Sequence, residues 1–242
     1  NIAKKFEEEL QKDTSGWLTP ISTDNGERPG SADVIFIPYV ERMNASLAYY
    51  KGYSLREEHP FINTWLKNLE KLDEYRGTQG DFHTHVHDLP PQMGGCFTYS
   101  NSNQQLFAQE VDIGSGLGQL ELVEFKVDQK SEQQFEAIAL ERVIKHKKKI
   151  IATSPMRNKL FDQPLRAALT SMISKEDCPP EKDSASALRY LRDRISVPRD
   201  MPLLSGRLLR KALERTANID GSDLGPEIPT RNRLDQNPLQ FN

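Results

Sequence analysis

Apolar residues recur at helical intervals along most of this chain and at strand intervals almost nowhere. Ile2, Phe6 and Leu10 share one face of an amphipathic helix predicted over Ile2–Lys12. A Gly-, Pro-, Ser- and Thr-rich loop follows, up to Gly30. The segment "SADVIFIPYVERMNASLAYYKG" then predicts a helix from Ser31 to Gly52, with Asp33 in its first turn and Pro38 inside it. It is apolar nearly all round, so it is expected to be the buried central helix, with Phe36 and Leu47 in the core. A second helix is predicted over Pro60–Gly77. Phe61, Trp65, Leu69 and Leu72 lie on its inner face, Pro60 at its first turn and Gly77 at its end.

Helical signals stop between Asp81 and Lys130, where only a short strand at Leu120–Val127 is suggested. Periodicity returns with a long helix opened by Ser131. Three more helices follow, near Leu160–Ser174, Ser184–Ile195 and Pro202–Ala217. The tail from residue 219 to 242 has no period and is expected to be an extended arm, as is Trp17–Gly30. The prediction is an all-α helical bundle of about seven helices. It divides into an N-terminal piece (1–30), a helical domain (31–218, with an irregular connector at 81–130) and a tail (219–242).

Charge adds an asymmetry. The chain carries a net charge of −3 at neutral pH. Residues 1–141 hold 12 Lys and Arg against 23 Asp and Glu; residues 142–242 hold 20 against 12. The basic half contains "KHKKK", "RYLRDR" and "RLLRK". Lys147, Lys148, Lys149, Arg189, Arg192, Arg207 and Arg210 are therefore candidates for a face that docks acidic protein surfaces. Nucleic acid is disfavoured, because this half offers only Phe161, Tyr190 and Phe241 for stacking. No apolar run reaches the roughly 18–20 residues a bilayer span needs. Cys96 and Cys178 are expected to be free thiols.

The densest candidate chemistry is "DFHTHVHDLPPQMGGC", which places His83, His85 and His87 at alternate positions. If extended, the three would point one way, and two could share a metal with Asp88 or Cys96. No second ligand cluster supports that, and Cys96 has no visible orienting group to make it a nucleophile. The prolines favour extended backbone. The expectation is a rigid strap over the helix pair with no metal or cofactor.

Several of these segments resemble a known family. "SADVIFIPYVERM" resembles the S-x-A-D helix start in the helical C-terminal half of glutathione S-transferases, except that Gly30 stands where that motif has Ser or Thr. "PFINTWLKNLEKLDEYRGTQGDFHTHVHDLPPQMGGC", "ALRYLRDRISVPRDMP" and "IPTRNRLDQNP" resemble the branch found in cyanobacteria and plastids. The resemblance implies a glutathione S-transferase C-terminal-type bundle. It also makes Tyr39, Arg42, Met43 and Tyr49 candidates for lining an apolar-ligand pocket. The family activates glutathione with a thioredoxin-like N-terminal domain, and no βαβ pattern precedes Ser31. The first expectation is thus a non-enzymatic scaffold or linker in a plastid or cyanobacterial assembly, such as a phycobilisome. The alternatives are a glutathione transferase whose N-terminal domain lies outside this chain, and a small-molecule carrier.

Overall fold

A computed structural model of the chain describes residues 2–121, 129–154, 156 and 158–221. Among these it is all-α, with eleven α-helices and one small hairpin. The first half comprises α1 (Ile2–Leu10), β1 (Ile21–Thr23), β2 (Gly26–Arg28), α2 (Ser31–Lys51), α3 (Leu55–Glu58), α4 (Pro60–Leu69) and α5 (Asp73–Arg76). Then come α6 (Phe82–Met93), α7 (Ser102–Asp112) and a 3-10 turn at Gly118–Leu120. The second half is α8 (Gln129–Thr153), α9 (Asn158–Ser174), α10 (Ala185–Arg194) and α11 (Leu203–Asp220).

Three apolar clusters hold these elements together. Trp65, Leu66, Leu69 and Ile62 of α4 pack with Leu10, Trp17, Val40, Leu55 and Tyr75. Across α2, Ala45, Ala48 and Tyr50 pack on Phe82, Val86 and Leu89 of α6 and Val111 of α7. The largest cluster joins α8 to α11 around Phe161, Leu165, Leu188, Leu209 and Leu213. Each fully buried side chain of this size stabilises by about 1.5–3 kcal/mol.

The start of α2 is tied down by Asp33, which is fully buried. Its carboxylate accepts from the Leu18 N–H (2.8 Å), the Thr19 N–H (3.0 Å), the Gly30 N–H (3.1 Å), the Thr19 hydroxyl (3.3 Å) and Trp65 Nε1 (2.7 Å). Gly30 has no side chain to cap the helix, and the Thr19 hydroxyl fills that role by accepting from the Ala32 N–H at 3.3 Å. Glycine is required there: a Cβ would lie 1.9 Å from the Thr19 carbonyl oxygen. The predicted arm at Trp17–Gly30 is therefore a docked hairpin, with Ile21 paired to Arg28.

Four other expectations change. Helix α2 is buried on one side only; Phe36 is 44 % exposed, while Trp65 and Leu69 are fully buried as predicted and Leu47 is half-buried. The predicted Pro60–Gly77 helix breaks after Leu69, because Glu70 turns inward to pair with the buried Arg56 and to accept from Gln79. The connector is mostly helical among its described residues, through α6, α7 and the 3-10 turn. Helix α11 runs on to Asp220 and closes at Gly221, whose φ of 65° is the left-handed cap glycine favours. The rest of the predicted tail and residues 122–127 of the predicted strand lie outside the described residues.

Candidate functional site

The histidine run is a helix and not an extended strap. Asp81 caps α6 by accepting from the Thr84 N–H at 2.9 Å, and Gly94 closes it in the left-handed conformation. Pro90 has no N–H to offer the Val86 carbonyl one turn back. The hydroxyl of Tyr50 donates to that carbonyl at 2.7 Å, so a side chain from α2 supplies the missing bond. The apolar face of Phe82, Val86 and Leu89 then rewards the helix with burial.

On this helix each histidine faces its own carboxylate. His83 Nε2 lies 3.4 Å from Asp193 of α10, His85 Nε2 3.6 Å from Glu41 of α2, and His87 Nε2 3.0 Å from Asp112 of α7. These are close carboxylate contacts in which none of the three Nε2 atoms meets the geometry of a hydrogen bond. The His83 and His87 rings sit 4.5 Å apart, one turn from each other, while His85 lies against Gly80, where a Cβ would come within 2.5 Å of the imidazole. The run thus clasps α6 to three elements. Among the described residues no three His, Cys, Asp or Glu side chains converge to hold a metal ion.

This clasp is wired into the second half of the molecule. Arg210 of α11 is buried and pairs with Asp81, and also donates to the Ile195 carbonyl at 2.7 Å. The Thr84 hydroxyl accepts from the Val197 N–H at 3.0 Å. Glu121 accepts from the Phe82 N–H at 2.8 Å and from Arg207 at 2.8 Å. Burial pushes the His83 imidazole down to about 3, with the Arg210 guanidinium and His87 adding to the effect against the opposing pull of Asp193. Burial works against the Asp81 carboxylate, but Arg210, His83 and Thr84 outweigh it and bring its pKa down to about 2.

The arginines expected on a docking face are consequently interior groups. Arg192 and Arg210 are 2 % and 1 % exposed. Arg192 pairs with Asp193 and Glu214, and Arg189 pairs with Glu214 at 3.1 Å. Arg207 is half-buried on Glu121. Burial without partners would be prohibitive for these cations, and the acidic side chains opposite them supply the compensation. Lys147 pairs with Asp162, and of the seven candidates only Lys148 and Lys149 are exposed.

The four pocket candidates are dispersed. Tyr39 and Arg42 face solvent, Met43 packs toward α4, and Tyr49 packs toward α6 and α7, its hydroxyl donating to Asp112 at 3.0 Å. What α2 presents outward instead is an apolar face. Val34, Ile35 and Tyr39 are 57 %, 61 % and 69 % exposed, next to Phe36. Phe36 meets the Phe6 ring edge-on at 5.5 Å. Beside this face runs a groove of about 540 Å³, lined by Val34, Ile37, Pro38, Leu69, Leu72 and Tyr75. Its charged side chains already have partners: Glu74 pairs with Arg28 at 3.1 Å, and Glu41 accepts from the Tyr75 hydroxyl at 2.6 Å.

Two signals in the sequence pointed to these features. Asp81 three residues before Thr84, with glycine at 94, is a helix-boundary pattern that the proline pair masked. The continuous apolar run Val34–Ile37 was consistent with an outward face as well as a buried one. No helix is long and apolar enough to cross a membrane among the described residues. Comparison of the chain with protein-family models, with curated proteins and with solved structures found no match.

Proposed function

We propose that this chain is a non-enzymatic docking protein, a scaffold or linker built on a glutathione S-transferase C-terminal-type helical domain. Its contact surface is the apolar face of α2. The observation that carries this is the exposure of Val34, Ile35, Phe36 and Tyr39 on a helix whose opposite side anchors two of the three cores. Contiguous apolar surface of this kind marks interaction sites. The segments quoted above, and Asp33 at the start of α2, support the domain type. The same resemblance suggests a plastid or cyanobacterial assembly, with a photosynthetic antenna as the setting to test first.

The partner that suits the face is a protein surface offering apolar side chains to the groove, because the groove's own charged side chains are already engaged within the chain. Acidic partners for the basic half are no longer needed to explain its arginines. A second reading is favoured by the same exposed face: it would be covered by the thioredoxin-like domain of a glutathione transferase.

The test compares the full chain with a Val34→Asp/Tyr39→Asp variant in cross-linking and pull-down from plastid or cyanobacterial extract, at low and high salt. The docking function expects partners retained at high salt and lost in the variant. Equal recovery by both chains overturns it. Saturable glutathione binding, or cross-links solely to a thioredoxin-like domain, favours the transferase reading.

A further inference from the structure

On the opposite half of the molecule, α8, α9, α10 and the start of α11 enclose a cleft of about 470 Å³, within the size range of small-molecule sites. Its floor is apolar: Val143, Phe161, Leu191, Met201 and Leu209. Its rim is cationic. Arg142, His146 and Lys149 stand at i, i+4 and i+7 along one stripe of α8, and Arg194 of α10 also lines the cleft.

These rim groups, three of them cations (Arg142, Lys149 and Arg194), differ from the buried arginines next door. Arg142, His146 and Lys149 are exposed, and none of the four has an ion pair among the described residues. Arg194 is held in place by stacking over the Tyr190 ring at 4.3 Å, and its Nε is buried with no hydrogen-bond partner among the described residues. The one acid lining the cleft among the described residues, Asp200, is bound by Arg199 at 2.8 Å and by the Ser196 N–H at 2.7 Å. An apolar floor removes hydrocarbon from water, and cations at the rim hold an anion there. A cationic ligand would meet like charge.

We infer that this cleft binds a small amphipathic anion, a carboxylate on an apolar body, with the head group held by Arg142, Lys149 and Arg194. This site is remote from the α2 face and independent of the docking function.

The test titrates the full chain with dodecanoate by calorimetry, at low salt and below micelle formation, in parallel with dodecyltrimethylammonium. The expected result is saturable binding of one dodecanoate per chain, at least tenfold tighter than the cationic surfactant and weakening with salt. Arg142→Gln/Lys149→Gln, both at exposed positions, should weaken it about tenfold while the unfolding midpoint stays unchanged. Arg194→Gln, compared at the same folded fraction, should also weaken it. Equal affinity for the two surfactants, no saturation, or full binding by the double variant overturns the proposal. So does an acidic peptide that binds this face while dodecanoate does not.

Discussion

The Tyr50 hydroxyl donates to the Val86 carbonyl at 2.7 Å, the group that Pro90 leaves without its helical donor. A phenol from one helix thereby lets a neighbouring helix run through a proline. Tyr50→Phe keeps the packing but strands a buried carbonyl, a loss of about 1–3 kcal/mol. We expect a lower urea midpoint, and hydrogen exchange that speeds up selectively in Leu89–Met93. Unchanged exchange there would show that α6 does not depend on this bond.

Acid should destabilise the fold in two stages. His83 has an ordinary value of 6.5 and is held at about 3 in the folded state. Below pH 6.5 the unfolded chain takes up a proton that the folded chain refuses. Stability therefore falls as pH drops from 6.5 toward 3, by up to about 1.4 kcal/mol per pH unit. Asp81 is lowered from 3.8 to about 2, so its contribution is complete above 3.8 and is lost as pH falls through 2. Urea midpoints across pH 4–8 should show the first stage, and His83→Asn should flatten it. An NMR titration in which the His83 ring protonates near pH 6.5 would contradict the assignment.

Interior and surface cations should behave differently on substitution. Arg210→Ala leaves Asp81 buried without its guanidinium, a loss of about 3–5 kcal/mol. Lys148→Glu, at an exposed position, should leave the thermal midpoint within error. Comparable effects from the two would mean that Arg210 is not the interior ion the structure shows.

The Asp33 knot should be intolerant. Asp33→Ala removes the shared acceptor of five donors, at a loss of roughly 3 kcal/mol or more. The near-ultraviolet signal of Trp65 should change with it. Gly30→Ala should be of similar severity, because its Cβ collides with the Thr19 backbone. A Gly30→Ala protein with wild-type stability would show that the hairpin can move aside.

Local chemistry made much of this molecule legible. The ends of α2 followed from an acidic first turn and from Gly52, whose φ of 64° needs glycine. Periodicity located α8 to α11 to within a few residues, because 3.6-residue spacing is a property of the segment alone. The glycine- and proline-rich stretch at 81–95 hides its helix for the same reason. Within the segment two prolines argue against a helix, and the hydroxyl that reverses the balance lies 36 residues away on α2.

Burial of charge could not be read from the sequence at all. Composition shows a basic half, but Arg210 finds Asp81 across 129 residues and Arg207 finds Glu121 across 86, so which cations are interior depends on how the helices pack. The same holds for the surfaces that remain. The stripe of Arg142, His146 and Lys149 is written in the spacing of α8, yet Phe161, Leu191 and Leu209 of the apolar floor beneath it come from three other helices. The sequence by itself determined the helices and their faces, because backbone hydrogen bonding and side-chain periodicity are local. Only the tertiary structure decided which faces were left uncovered and which charges were left to bind, because both depend on partners distant in the chain.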